Sequence, residues 1–370
     1  MKYYFRTEKM SVGYQKQPLI ENIEIGLEKG EILTLIGPNG AGKSTILKSI
    51  AKQISLTGGA VYLDEKCVND MSGTALSKNM AVVLTEKLRT EMMTCEDVVE
   101  TGRYPYTGRF GILSDPDRQV VREAMELVHV TDIKDRNFSR ISDGQRQRVM
   151  LARCLCQEPE IILLDEPTSY LDVKYKLEFL SVLQEMKKRK KLTVIMSLHE
   201  LDLAQRISDK ILCIRGKSVD RYGSPEEIFE PGYLSELFHI TDGSFDEGDG
   251  SMELSRAEGK AGVFVIAGGG DGRSIYRRLQ RQGIPFATGI LYKNDLDYPT
   301  AKALAVDVIA ADGFEPVTEK EVDRARRSLE TCERVICSKT QFGTLEHANR
   351  DLLEYARKCG KKVEISSRQK

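Results

Sequence analysis

The run Ile32–Ile36, ILTLI, is apolar or Thr at every position, as expected of a strand buried on both faces of a sheet. It breaks at a glycine-rich turn, and residues 44–54 then place their apolar side chains at helical spacing. Two further buried-strand candidates, 161–164 (IILL) and 192–197 (LTVIMS), are separated by a helical pattern over 173–188. Strand alternating with helix in this way predicts an α/β layer on a mainly parallel sheet. Over roughly 94–156 the pattern turns helical, with loop signals at Tyr104-Pro105 and Asp115-Pro116, and reads as a helical insertion between the two halves of the sheet.

The stretch 241–262, TDGSFDEGDGSMELSRAEGKAG, is rich in Gly, Asp and Ser and poor in apolar residues, so 242–261 is expected to be a linker. Alternation then resumes. VFVIA (263–267) leads into GGGDG and a helix near 274–281; strand patterns follow at ATGIL, DVIAA, RVICS and KVEIS, with helical segments at about 300–305, 318–329 and 344–358. This predicts a second, smaller doubly wound α/β domain of Rossmann or flavodoxin type. The expected organisation is a first domain over 1–241 with a helical subdomain at about 86–156, the linker, and an accessory domain over 262–370.

Composition narrows the function classes. Lys plus Arg is 55 against 56 Asp plus Glu, a net charge of −1 that gives no support for a general nucleic-acid binder. The basic run 187–191, KKRKK, reads as a solvated helix end. The eight Cys form no CxxC pair and no zinc-like cluster, so reduced thiols in a cytosolic protein are expected. The start, MKYYFRTEKM, lacks the apolar core of a signal peptide. No stretch approaches the ~18 consecutive apolar residues of a membrane span. For work at a membrane, another chain must supply the channel.

Chemistry concentrates in short motifs. GPNGAGKST, residues 37–45, matches the phosphate-loop pattern between a strand and a helix. In the stretch Gly37, Pro38, Asn39, Gly40, Ala41, Gly42 to Thr45, the glycines at 37, 40 and 42 let backbone N–H groups approach phosphate oxygens beside a helix N-terminus. Lys43 reaches the β- and γ-phosphates, and the Ser44 hydroxyl can ligate Mg²⁺. IILLDEP ends a buried strand in two acids. Asp165 is expected beside Mg²⁺, and Glu166 beside the γ-phosphate as base for a water. His199, just past the strand LTVIMS, reads as a polar contact to the γ-phosphate, while His129, His239 and His347 carry no such signal. A second anion-binding device is SDGQ, Ser142 to Gln145, a hydroxyl, a bare backbone and an amide ahead of a basic helix.

The order GPNGAGKS, ISDGQRQR, LLDEP, SYLD and SLHE resembles the ATP-binding cassette ATPase family over residues 1 to about 240. The resemblance implies that Tyr14, ahead of the first sheet strands, stacks on adenine. It implies that Ser142, Asp143, Gly144 and Gln145 are the family signature and that Asp172 closes the loop that crosses to a partner. In this family two cassettes pack head to tail, so each ATP, with Mg²⁺, is held by Lys43 and Ser44 of one copy and by Ser142 and Gly144 of the other. Two departures stand out. Asp143 replaces a Gly of the common signature, and Arg146 or Arg148 is the candidate to neutralise it. In VVLTEKL, Thr85 or Glu86 stands where the family carries a Gln that reaches Mg²⁺.

VVETGRYPYTGRFG and YGSPEEIF resemble the importer branch for iron siderophores, haem and cobalamin. The implied function is the ATP-hydrolysing subunit of such an importer. Its partners would be a second cassette, expected to be identical, an integral membrane permease and an extracytoplasmic substrate-binding protein. Its place would be the cytoplasmic face of the cell membrane. A soluble cassette acting on ribosome or DNA, or an exporter subunit, is the alternative. In the tail, GGGDG is a phosphate-friendly turn without a clean G-x-G-x-x-G, equally readable as helix–strand packing; the domain is expected to be a sensor or assembly module for a small metabolite.

Overall fold

The computed structural model describes residues 3–84, 92–108, 111–248 and 250–366. The chain divides into two compact units, Met1–Phe238 and His239–Lys370.

The first unit contains strands β1 (Phe5–Tyr14), β2 (Gln17–Ile23), β3 (Gly26–Leu27), β4 (Ile32–Ile36), β5 (Gly58–Leu63), β6 (Lys66–Cys67), β7 (Met80–Val83), β8 (Ile161–Asp165), β9 (Thr193–Ser197), β10 (Lys210–Arg215) and β11 (Ser218–Gly223). Its helices are α1 (Lys43–Ile50), α2 (Gly73–Asn79), α3 (Cys95–Glu100), α4 (Asp115–Leu127), α5 (Asp143–Cys156), α6 (Val173–Lys190), α7 (Leu201–Ile207), α8 (Pro225–Ile228) and α9 (Tyr233–Leu237). The central sheet has the order β11-β10-β4-β9-β8-β7, parallel except for β11 at one edge. β4, β8 and β9 are buried at every position, which is why their sequences carry apolar side chains without alternation. The insertion is helical as expected, with α3, α4 and α5 drawn together by Arg103. Its buried guanidinium meets Asp117 at 2.9 Å, the Cys156 carbonyl at 2.7 Å and Glu158 at 2.9 Å.

An antiparallel sheet, β2-β1-β5-β6 with β3 on β1, precedes and flanks this core and was not expected from the sequence. The reason lies in β1 and β2. Register shifts interrupt the pairing around Met10, Val12 and Gly13, and Lys9 and Asn22 adopt left-handed backbone at φ 45° and 54°. Each bulge resets the period of two that marks a half-buried strand.

The second unit holds the hairpin β12 (Gly243–Asp246) and β13 (Ser251–Leu254), then β14 (Val263–Ile266), α10 (Arg273–Arg281), β15 (Phe286–Tyr292), α11 (Tyr298–Leu304), β16 (Asp307–Ala311), α12 (Glu319–Thr331), β17 (Arg334–Cys337), α13 (His347–Lys358) and β18 (Lys362–Ile365). Its sheet is fully parallel with order β16-β15-β14-β17-β18. α12 and α13 pack on one face, through Leu329 and Leu352, and α10 and α11 on the other, through Leu279 and Leu304, so the unit is doubly wound. The strand order reverses between β14 and β17. The hairpin corrects the expectation of a linker over 242–261. Gly250, at φ 74°, makes the turn, and Glu253 fastens the second strand to α10 through Arg277 at 3.0 Å.

Among the described residues, no helix is long and apolar enough to cross a membrane.

Candidate functional site

The turn 37–42 leaves β4 and enters α1 at Lys43. Two of its glycines are required by geometry. A Cβ on Gly37 would lie 2.5 Å from the Ile214 carbonyl oxygen, and Gly42 caps the helix at φ 96°. Pro38, Asn39, Gly40 and Ala41 form the span between, closed by the Ala41 N–H on the Pro38 carbonyl at 3.2 Å. Lys43 is buried, and its Nζ donates to the carbonyls of Gly37 at 2.7 Å and Pro38 at 3.2 Å. Burial lowers its pKa, against the opposing pull of Glu166 and Asp165.

β8 ends in Asp165, which is buried. The Ser44 hydroxyl donates to its Oδ1 at 3.0 Å, so the phosphate-loop hydroxyl and the strand-end carboxylate converge. Such paired hard oxygens suit Mg²⁺. Glu166 follows in left-handed backbone, φ 49°, with Oε1 2.7 Å from His199 Nε2 and Oε2 accepting from the Ser169 hydroxyl at 3.4 Å. Lys43, Ser44, Asp165, Glu166 and His199 thus gather at one end of the parallel sheet. Thr85 and Glu86 lie outside the described residues.

Tyr14 is not ahead of the first strands but ends β1. Half exposed, it sets its hydroxyl 3.3 Å from Thr45 Oγ1, beside the first turn of α1.

Ser142 caps α5. Its Oγ accepts the Gln145 N–H at 3.2 Å, and Gln145 Oε1 accepts the Ser142 N–H at 3.1 Å, a reciprocal capping box. The box uses Ser142 Oγ as an acceptor and leaves its O–H proton for another partner. Asp143 pairs with Arg146 on the next turn, whereas Arg148 turns to the His129 carbonyl at 2.9 Å and the Tyr175 ring. A Cβ on Gly144 would sit 3.4 Å from Leu171 Cδ2, which puts the signature against the loop that follows Glu166. Asp172 ends that loop and caps α6 through the Tyr175 N–H at 3.0 Å.

Sequence reasoning missed two groups that brace these residues, Ser197 and Glu200. The buried Ser197 hydroxyl donates to Asp165 Oδ1 at 2.8 Å and accepts the Glu166 N–H at 2.9 Å. Glu200, next to His199, accepts from Thr168 at 2.8 Å and Lys176 at 2.6 Å. Burial works against its ionisation, but these two donors hold its carboxyl below the usual range. Only the place of Ser197 at the end of β9 hinted at any of this.

The second glycine turn, Gly268 to Gly272 after β14, has three of its amides bonded to carboxylates. Gly269 N–H donates to Asp295 at 2.9 Å; Gly270 and Gly272 donate to Asp297 Oδ2 at 3.2 and 2.8 Å, and Arg273 donates to Asp297 Oδ1 at 3.1 Å. Asp297 is fully buried, and burial raises its pKa against the pull of these amides. These bonds tie the turn to the loop between β15 and α11.

The family described as ABC transporter matches residues 20–169, and the MJ0874 family matches residues 286–370. The chain is 41% identical to the ABC transporter ATP-binding protein MJ0873 of Methanocaldococcus jannaschii over 77% of its own length and 99% of the relative's. It is 37% identical to the iron(3+)-hydroxamate import ATP-binding protein of Bacillus subtilis, over 63% of this chain and 87% of that one. It is 30% identical to the cobalamin import ATP-binding protein of Halobacterium salinarum, over 84% and 79%. A metal-chelate type ABC transporter solved in an inward-facing conformation aligns with TM-score 0.57 at 25% identity, covering 68% of this chain and 95% of that one. A dimeric ATP-binding cassette in a post-hydrolysis state with ADP and Pi aligns with TM-score 0.53 at 25% identity, over 60% and 98%.

Proposed function

The chain belongs to the ATP-binding cassette transporter family and is an ATP hydrolase of importer type; on that premise we propose that it drives uptake of an iron chelate, haem or corrinoid. The observation that carries the reaction is the convergence of Ser44 with Asp165 and of Glu166 with His199 beside a lysine-bearing glycine turn. The cargo class rests on the relatives named for hydroxamate and cobalamin import.

In this reading ATP lies along 37–45, with the amides of Gly40, Gly42 and Thr45 on its phosphates and Tyr14 stacked on its adenine. Lys43 leaves the carbonyls of Gly37 and Pro38 for the β- and γ-phosphates, a short swing because both carbonyls belong to the same turn. Mg²⁺, held by Ser44 and Asp165, would offset the charge of the phosphate oxygens. Glu166 Oε1 takes the proton of the attacking water, and His199, hydrogen-bonded to that oxygen, orients it and contacts the γ-phosphate. A second, identical cassette adds the Ser142 hydroxyl, the Gly144 amide and Gln145, with Asp172 shaping the crossing loop. The γ-phosphate then bridges two chains, and its loss lets them part.

The dimer acts on an integral membrane permease from the cytoplasmic face, with an extracytoplasmic substrate-binding protein on the far side. The second unit serves as a sensor or assembly domain; a small-molecule ligand there binds elsewhere than the filled glycine turn. Glu166→Gln should accumulate an ATP-bound dimer, seen by light scattering, with turnover down at least about a hundredfold; normal cycling by that variant refutes the role of Glu166. Affinity capture from membranes should bring down a multi-span permease. Capture of ribosomes or DNA in its place overturns the transport reading.

A further inference from the structure

We propose that Ser197 is a positioning residue for hydrolysis: its hydroxyl ties the Asp165 carboxylate to the Glu166 backbone and so sets where Glu166 presents its side chain. The inference rests on the roles given above to Asp165 and Glu166. β8 and β9 run parallel with Asp165 directly paired to Ser197, so the two residues end adjacent strands at the same height. The Ser197 side chain is buried, and its oxygen makes two bonds of opposite sense, donating to Asp165 Oδ1 at 2.8 Å and accepting from the Glu166 N–H at 2.9 Å. One hydroxyl can make both at once, because it carries one proton and two lone pairs.

The consequence differs for the two acids. Asp165 Oδ1 also receives the Ser44 hydroxyl at 3.0 Å, so two fixed donors set its rotamer. Glu166 is held at φ 49°, a conformation that side chains with a Cβ adopt only when their surroundings impose it. The bond from its own N–H to Ser197 is a restraint acting at that residue. It orients the peptide from which Oε1 reaches His199 at 2.7 Å. His199 itself lies two residues beyond Ser197, so the end of β9 places both the partner of the Glu166 side chain and the partner of its backbone. Ser197 touches neither nucleotide nor water in this scheme. Its effect passes through the geometry of others, and small misplacement of a general base is costly in rate.

The test uses the full chain with S197A, S197T and E166Q prepared in parallel. At saturating Mg²⁺, S197A should lower kcat about tenfold while KM for ATP changes less than about twofold, since with the metal site filled the loss falls on the reacting geometry. In the E166Q background, which removes turnover from the measurement, S197A should raise about threefold the Mn²⁺ concentration that half-saturates binding of a fluorescent ATP analogue, because Asp165 loses one of its orienting donors. S197T, which restores a hydroxyl, should recover most of both. Wild-type kcat and an unchanged Mn²⁺ midpoint in S197A overturn the proposal. So does a loss that S197T fails to repair, which would mark a packing defect. If S197A melts well below the wild type, S197C, close to serine in volume but a weak donor, takes its place with the same expected losses. Full hydrolysis by E166Q alone would instead bring down the reading of the site on which the proposal stands.

Discussion

The molecule makes the same local device twice. β4, Gly37 to Gly42 and α1 form one strand–turn–helix, and β14, Gly268 to Gly272 and α10 form the other. They differ in the sign of the charge the chain lays over the turn. Over the first lies the ammonium of Lys43, bonded to carbonyls of the turn. Over the second lie the carboxylates of Asp295 and Asp297, bonded to its amides. A cation resting on carbonyls can swing onto an incoming phosphate and bring its charge along. An anion resting on the amides is itself the ligand. The glycines supply a backbone that can cradle an anion; which anion it holds depends on side chains from elsewhere in the sheet.

The comparison can be broken most severely at the two covering side chains. Lys43→Ala should reduce ATPase activity at least about a hundredfold in a steady-state phosphate-release assay, since the charge is needed where negative charge gathers in the transition state. Asp297→Ala strands the amides of Gly270, Gly272 and Arg273 without their acceptor. At roughly 1–3 kcal/mol for the buried Gly272 donor, and less for the half-buried amides of Gly270 and Arg273, the second unit should lose about 2 kcal/mol. Hydrogen exchange at those amides and denaturant unfolding would register it. If the variant is as stable as the wild type, the carboxylate is not the ligand of this turn.

A binding count sharpens the contrast. The wild-type chain should take up one equivalent of ATP analogue by equilibrium dialysis, and K43A should bind it far more weakly without a residual site on the second turn. A second equivalent surviving in K43A would show that the two turns are alike after all. A smaller effect is expected at the signature, the device that serves a turn in the partner copy. Arg146→Ala removes the cation paired with Asp143 and should weaken ATP-driven dimerisation about threefold, in keeping with ~0.5–1 kcal/mol for a partly exposed ion pair, while D143G combined with R146A should recover it.

The smallest effect is on pH dependence. Because burial raises the Asp297 pKa above its unfolded value, the folded chain holds this proton more tightly than the unfolded chain does. The penalty of the buried charge is therefore greatest at neutral pH and is relieved as pH falls through the raised pKa toward the ordinary carboxylate range. D297A should flatten that part of the pH–stability curve of the second unit.

The parts of the fold legible in the sequence are those governed by local pattern. β4 spans ILTLI, because a strand covered on both faces needs an unbroken apolar run whatever its neighbours are, and β16 spans the predicted DVIAA although it is a half-buried edge strand. The helices expected after SDGQ and over 173–188 form as α5 and α6, and their starts are held by capping of Ser142 and Asp172, which acts within three residues. β1 and β2 were hidden because bulges at left-handed residues broke the alternation that would have announced them.

At the candidate site, residue types and spacing pointed to Lys43, Ser44, Asp165, Glu166 and His199, since phosphate and metal chemistry restricts which side chains can serve. The sequence was silent on Ser197, 32 residues from Asp165 in the chain, and on Asp297, 25 residues from Gly272. A serine ending a strand and an aspartate in a loop are common, and nothing local separates a brace or a built-in anion from a solvated side chain. The sequence by itself therefore determined the strands and helices of the two parallel sheets, their class and the presence of two glycine turns. Only the tertiary structure decided which strand ends stand side by side, and so which turn was left for phosphate and which the chain filled itself. Hydrogen bonds over about 3 Å depend on that adjacency, and parallel sheets create it between residues far apart in sequence.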